Sequence, residues 1–316
     1  MNTRFASLIR WIFSASLCLC AFSSWASVTL TSADEQQINA LIDRWNDDLN
    51  RQEQAQPQSL YAPQVEWFGQ TLTAQQVLAN QQVFLAKNKN YQQSIVSTLN
   101  IQPAEEDRVQ VRFVKRAGLD LDKEQNYPAE FMLKKETSGW RIVSETDGIT
   151  RAVQSKDDSS LVAKGKFDGS HTSYVWMTDS DPRTGGVCTE EGDCECALWS
   201  SVPDVLPVKI PQCLAGGVET VSGLDDSGRD RVLLFPQWWS SALRVLYLYD
   251  IQQKQWIKTL PGISFNINLQ ETATGADLVK RDPAHPGRVN VVQSVFDEAK
   301  EEPTTKVVSQ TLRTLK

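Results

Sequence analysis

Between residues 32 and 144 the apolar residues change period once, and that change limits what the first half of the chain can become. Residues 32–50 read SADEQQINALIDRWNDDLN and place Ile38, Leu41, Ile42, Trp45 and Leu49 at helical spacings of three and four. Ser32 or Asp34 stands where a cap belongs. A short strand is predicted over residues 65–68. Thr73-Ala-Gln-Gln then opens a second helix that carries Val77, Leu78, Val83, Phe84 and Leu85. From Tyr91 onward alternation takes over, clearest in Val109-Gln-Val-Arg-Phe-Val, and predicts strands over 91–101, 109–116, 127–134 and 140–144. Helices followed by a meander of strands give an α+β layout.

Four pieces of this half carry a likeness. They are Leu60-Tyr-Ala-Pro-Gln-Val-Glu-Trp-Phe-Gly69, the helix from Thr73, Tyr127-Pro-Ala-Glu-Phe-Met-Leu, and Gly139-Trp-Arg-Ile-Val-Ser-Glu-Thr-Asp147. Their order resembles the NTF2-like (SnoaL-like) family over roughly 120 residues. The resemblance implies a cone in which a curved antiparallel sheet wraps around helices. Family members use that cavity for binding, for isomerisation or dehydration, or for dimerisation, so it speaks for the fold far more than for a function. On this reading Tyr61, Trp67, Tyr91, Tyr127 and Glu145 line or rim the cavity. The competing reading is that these aromatics fill the cone as core. Residues 27–152 contain no histidine and no cysteine, so an acid or base there is Asp, Glu or Tyr, for example Asp43 or Glu145.

Residues 1–26 carry Arg4 and Arg10 and no acid, then an apolar stretch from Trp11 to Phe22 interrupted only by serines. Ser24-Trp-Ala26 ends it with small residues at the −3 and −1 positions of a cut after Ala26. Basic start, short apolar middle and small-residue exit form a signal peptide. The apolar run falls short of the ~20 residues a spanning helix needs. No later stretch is apolar and long enough to cross a bilayer, so no transmembrane segment is expected in the mature chain. Cleavage makes the formal charge of −7 two units more negative. An acidic chain without a basic stripe is a poor candidate for nucleic acid or anionic lipid, and no nucleic-acid partner is expected.

Cleavage also removes Cys18 and Cys20. Cys188, Cys194, Cys196 and Cys213 remain, close together in sequence. Four clustered cysteines in an exported chain read as two disulfides. A Cys194–Cys196 bridge would close a strained ring around one residue, which leaves two connectivities open. Zinc is the weaker alternative, since Cys-x-Cys is an unusual zinc spacing and His171 is the only histidine nearby.

Residues 153–160 are polar and aperiodic and read as a linker. The rest, 161–316, is β-rich, with strands predicted over 174–177, 232–235, 242–249 and 255–259. A final hairpin is predicted with arms 288–296 and 306–315 and a charged, proline-containing turn. The cysteine-rich stretch 185–200 is expected as an irregular loop. Two segments echo each other, Gly165-Lys-Phe-Asp-Gly-Ser-His-Thr-Ser-Tyr-Val-Trp176 and Gly223-Leu-Asp-Asp-Ser-Gly-Arg-Asp-Arg-Val-Leu-Leu234. Each puts an aspartate and a small polar turn before a strand, which is similar to degraded FG-GAP or VCBS-type repeats. That resemblance implies calcium at Asp225, Ser227 and Asp230, with Gly228 supplying the bend. An ordinary Asp- and Gly-rich turn is the plain alternative.

Trp238-Trp239 follows Pro236-Gln237, and one of the pair is expected to face outward as a ligand platform. His171 and His285 lie in separate polar turns. No P-loop, dinucleotide fingerprint or HExxH motif is present. The expectation is an exported, periplasmic, non-enzymatic binding or interaction protein of the bacterial envelope. Its partner would be an envelope protein, a glycan or a small hydrophobic ligand, with no cofactor beyond the calcium ion. The alternative is a small-molecule enzyme of isomerase or dehydratase type, using a carboxylate in the cone.

Overall fold

A computed structural model describes residues 30–51, 60–104, 107–119, 124–154, 162–181, 183, 187–188, 193–238 and 242–315. The signal-like residues 1–26, Trp239 and residues 155–160 of the expected linker lie outside the described residues.

The first helix, α1 (Ser32–Arg51), starts one residue earlier than the expected caps allow. Thr31 is the cap: its hydroxyl accepts from Asp34 N–H at 3.2 Å, and Asp34 reaches back to Thr31 N–H at 3.2 Å. Ile38, Leu41, Ile42 and Trp45 are buried along one face of α1. The chain continues through β1 (Tyr61–Trp67), β2 (Gln70–Thr73) and α2 (Ala74–Lys87). The second helix opens at Thr73 as the sequence predicts, and Thr73 and Gln76 close a capping box on it.

Next come β3 (Gln92–Ile95), β4 (Asn100–Pro103), β5 (Arg108–Gly118), β6 (Gln125–Glu136), β7 (Gly139–Asp147) and α3 (Gly148–Gln154). The seven strands form one sheet in the order β2-β1-β7-β6-β5-β3, with β4 also on β5. Pairing is antiparallel except between β1 and β7, which run parallel. The strand predicted over 91–101 is in fact two. Ser97 Oγ accepts from Val114 N–H at 2.8 Å, so a side chain replaces a rung of the ladder there and the pairing breaks. Both helices pack on one face of the sheet, and α1, α2 and the inward strand residues share one core.

The remaining strands build three sheets. The first holds β8 (Val162–Gly165), β9 (Ser173–Ser180), β10 (Glu195–Ser200) and β11 (Val208–Pro211). The second holds β12 (Ala215–Val221), β13 (Arg231–Gln237), β14 (Leu243–Gln252), β15 (Gln255–Lys258) and β16 (Ile263–Asn266). Two short helices, α4 (Ile267–Gln270) and α5 (Gly275–Leu278), lead to the third: β17 (Val279–Arg281), β18 (Arg288–Asp297) and β19 (Glu302–Thr311). The sheets are layered, and β13 explains why. Val232 and Leu234 join the core shared with the first sheet, while Leu233 between them joins the core shared with the third. A strand buried on both faces reads as an unbroken apolar run, which Val-Leu-Leu is.

Two expectations for this half need correction. Residues 195–200 are the strand β10 rather than irregular loop, because they pair with both β9 and β11. Pro303 lies within β19, opposite Phe296, and not in the hairpin turn; β19 is an edge strand, where proline is tolerated. The disulfides are Cys188–Cys194 and Cys196–Cys213, one of the two open connectivities.

The two halves share contacts. Val153 and Gln154, expected at the start of the linker, end α3. Val114 and Ile149 of the first half form a small core with Val162 and Trp176 of the second. Asn126 Nδ2 donates to Ser200 O at 3.0 Å, and Asn100 Nδ2 to Asp179 O at 2.9 Å. A Cβ on Gly148 would stand 3.0 Å from Pro128 and 3.1 Å from Val162, so a larger residue there would have to push these side chains aside.

The second half is centred on a buried charge. Arg231 has no exposed surface. It donates to both oxygens of Asp225, at 3.0 and 2.7 Å, and to Arg229 O at 2.8 Å. Its Nε lies 3.3 Å from the equally buried Asp250. Removing the guanidinium strands a fully buried carboxylate. Arg231→Met is expected to cost about 3–5 kcal/mol, read as a lower urea midpoint. Adding Asp250→Leu should return part of that loss, since the orphaned charge goes with it.

Candidate functional site

The site begins with one extra residue in β7. Leu133 pairs with Ile142, but Met132 pairs with Ser144, so Val143 is a bulge. Before the bulge Trp140 and Ile142 point into the core; after it the phase flips and Glu145 and Asp147 point inward instead. Ser144 and Thr146 are turned to the outer face of the sheet. There they line a groove of about 310 Å³ with Glu66 and the ion-paired Glu130 and Arg151.

Glu145 therefore enters the cone from the sheet and is 4% exposed. The parallel partner of its residue on β1 is Trp67, and its antiparallel partner on β6 is Phe131. Tyr61, at the other end of β1, donates its hydroxyl to Glu145 Oε2 at 2.6 Å. Gln81 on α2 donates to that hydroxyl oxygen at 2.8 Å, so Gln81, Tyr61 and Glu145 form a directed chain. The indole N–H groups of Trp45 and Trp67 lie close enough to favour the charged carboxylate. Neither meets hydrogen-bond geometry with any protein group among the described residues.

A cation closes the set. On β5 the inward residues run Val109, Val111, Phe113 and then Lys115, whose ammonium sits 5.4 Å from the Trp45 ring and 5.8 Å from the Tyr127 ring. Lys115 is only 9% exposed. Tyr91 donates to Gln93 Oε1 at 2.9 Å, and Gln93 Nε2 is buried with no hydrogen-bond partner among the described residues. Asn50 at the end of α1 holds the Gln93 backbone at both N–H and C=O, each at 2.8 Å, which fixes that wall.

Electrostatics follow from burial. Burial pushes the Glu145 carboxyl above its ordinary 4.5, against the hydrogen bond from Tyr61, the Lys115 charge and the two indoles. Burial and the Glu145 charge push the Tyr61 and Tyr91 hydroxyls well above their ordinary range. Burial and then Asp147 raise Tyr127.

Of the residues expected at the cone, Tyr61, Trp67, Tyr91, Tyr127 and Glu145 converge here. Asp43 does not: it is exposed on the solvent side of α1. Trp45, Gln81, Gln93 and Lys115 were missed. Lys115 alone had a signal, as the polar residue continuing an inward alternation. Trp238 is half-buried at the end of β13 and far in sequence from the cone residues, and Trp239 lies outside the described residues.

The aspartate turns are used internally. Asp225 accepts from Arg231 with both oxygens and from Ser227 N–H at 3.0 Å. Burial opposes its charge, but these bonds hold the carboxyl down to about 2. Asp230 accepts from Lys166 N–H at 2.7 Å, which joins the second echoing turn to the first. Calcium wants six or more oxygens. As arranged, Asp225, Ser227 and Asp230 do not fit it, because a guanidinium already matches the charge. No cluster of three or more metal-ligating side chains exists among the described residues. No helix there is long and apolar enough to cross a membrane.

No family model matches the chain, and no curated protein matches it. Several solved structures are similar to part of it. An NTF2-like protein of unknown function from Pseudomonas putida KT2440 is 16% identical, with 37% of this chain and 87% of that one covered at a TM-score of 0.33. An uncharacterised protein with a cystatin-like fold from Caulobacter vibrioides is 14% identical, over 36% and 88% of the two chains, at 0.32. A domain of unknown function with a cystatin-like fold from Nostoc punctiforme is 17% identical, over 37% and 78%, also at 0.32. Overlap of this kind concerns about a third of the chain and says nothing of function.

The raised carboxyl of Glu145 has a measurable consequence. Its folded-state value lies above the ordinary one, so the folded protein holds that proton more tightly. The stability it contributes is complete below about pH 4.5 and is lost as pH rises through the elevated value. Glu145→Gln should lack this loss. Urea unfolding between pH 4.5 and 7.5 should show the variant gaining on the wild type by up to about 1.4 kcal/mol per pH unit. A pH-independent difference would mean an ordinary carboxyl.

Proposed function

We propose that this chain is an exported, periplasmic, non-enzymatic binding protein of a bacterial envelope. On this reading its first half is an NTF2-like cone that takes a small, largely apolar ligand at Glu145. The observation that carries the reading is the buried Glu145 carboxyl, which accepts from Tyr61 at 2.6 Å and is approached by Lys115 and by the indoles of Trp45 and Trp67 among aromatic walls. A carboxyl with a raised pKa in apolar surroundings marks a candidate functional position. A ligand hydroxyl or amide would donate to the Glu145 carboxylate. The aromatic walls, Phe113, Phe131 and Tyr127, would take the apolar body.

Export is supported by the charge and apolarity of residues 1–26 and by two disulfides, which form and persist in oxidising compartments. A second reading, an isomerase or dehydratase, draws on the same carboxylate, since a base with an elevated pKa suits proton abstraction. Binding is favoured over it because Tyr61 already spends its proton on Glu145, and its own hydroxyl is held far above neutrality.

Ligand-observed NMR of the mature chain against small phenols, alcohols and amides should find binders that Trp67→Phe and Glu145→Gln weaken tenfold or more. Binders indifferent to both substitutions would place the ligand elsewhere. Incubation of the same protein with enolisable ketones in D2O should show no exchange above buffer; Glu145-dependent exchange would establish the enzyme instead. Expressed with its own leader in a bacterium, the protein should appear in the periplasmic fraction beginning at Ser27 with no free thiol. An uncleaved cytosolic product would end the export reading.

A further inference from the structure

A second pocket lies in the other half of the molecule, on the face of the β12–β16 sheet that packs toward the third sheet. Strand register puts its parts on that one face. Glu219 on β12 is opposite Leu233 on β13, and Phe235 follows two residues on. Arg244 on β14 is opposite Phe265 on β16. Gly217, directly opposite Phe235, has no side chain to cover the ring, and a Cβ there would meet nothing within 4 Å. Phe235 and Phe265 meet edge to face, with centroids 6.1 Å apart, and form an aromatic floor. With Asn268 and Glu271 at the rim, the pocket has a volume of about 410 Å³.

Its charges are arranged unlike those of a surface ion pair. Arg244 is half-buried, yet its Nε is buried with no hydrogen-bond partner among the described residues. Glu219 is fixed, because its Oε2 accepts from Gly275 N–H at 2.5 Å. The Arg244 guanidinium stands with carboxylates of Glu219 and Glu271 around the same apolar floor.

From this arrangement we infer a binding site for a zwitterionic amino acid with an aromatic or large aliphatic side chain. The carboxylate of the ligand meets Arg244, for which a guanidinium offers two parallel donors. The ammonium meets Glu219 and Glu271, and the side chain lies on Phe235 and Phe265. The volume falls within the ~300–1,000 Å³ range of small-molecule sites. Neither the residues nor the ligand are those of the Glu145 cone, so the two sites stand or fall separately.

Calorimetric titration of the mature full-length protein tests this with phenylalanine and three truncated probes: N-acetylphenylalanine lacks the ammonium, phenethylamine the carboxylate, and glycine the side chain. Phenylalanine should bind saturably, each probe at least tenfold more weakly. Arg244→Met should abolish the preference for phenylalanine over phenethylamine while near-UV circular dichroism is unchanged, and Glu145→Gln should leave phenylalanine binding as in the wild type. Absence of saturable binding at millimolar phenylalanine would overturn the site. So would equal affinity for the probes, or an Arg244→Met protein that folds and still discriminates.

Discussion

One extra residue in β7 determines what the first half contains. A strand shows alternate side chains to its two faces, so the Val143 bulge exchanges Ser144 and Thr146 for Glu145 and Asp147 on the inner face. Without it, two small hydroxyl side chains would face the helices and the cone would be lined by apolar groups and alcohols. With it, two carboxylates enter a compartment otherwise built from Trp45, Phe113, Phe131 and Ile142. A carboxylate in such surroundings must be hydrogen-bonded, paired or protonated. Tyr61 and Trp67 from β1, Trp45 from α1 and Lys115 from β5 are the local response.

How much of this could be read in the residues depends on the physical range of each signal. Helical spacing is local, and it located α1 and α2 to within a residue or two, including the Thr73 cap. Alternation located β5, β6 and β7 as elements, but a bulge is a property of pairing, and no period in 139–147 reveals that the phase flips at Val143. Glu145 was named for the cone through family likeness, whereas its partners Gln81 and Lys115 became visible only through the sheet order. Short strands such as β8, β11 and β16 are four residues each, too brief to establish a period. Disulfide pairing depends on which Cα atoms approach within about 5–6 Å, which spacing alone left at two solutions.

The echoing turns show a different limit. Their common Asp-Gly-Ser chemistry was legible, and both form tight turns before strands, with Gly169 and Gly228 at positive φ. What spacing does not record is that the turns bind each other. Lys166 is held by Asp230 through N–H and through its carbonyl, and Gly169 lies against Ser227. Nor does spacing mark that Arg231, at the start of an apolar run, will be buried between Asp225 and Asp250. A guanidinium in an otherwise hydrophobic strand would have been placed at a surface on hydropathy alone.

The position of β5 ties these parts together. Phe113 and Lys115 point into the cone, while Val114 between them points out into the small core shared with Val162 and Trp176. On a solvated sheet that outer position would be polar; here the second half covers it. Arg116, one residue on, donates to Pro203 O at 3.4 Å and to Asn126 Oδ1 at 3.2 Å, and Asn126 itself bonds the backbone at Ser200 and Ser201. Consecutive residues of one strand thus serve the cone wall and the junction alternately. Because a strand cannot move one face without the other, displacement of Lys115 along β5 must also displace Val114 against Trp176. The polar cluster in the cone and the contact between the halves are therefore mechanically one structure, joined through three residues of backbone.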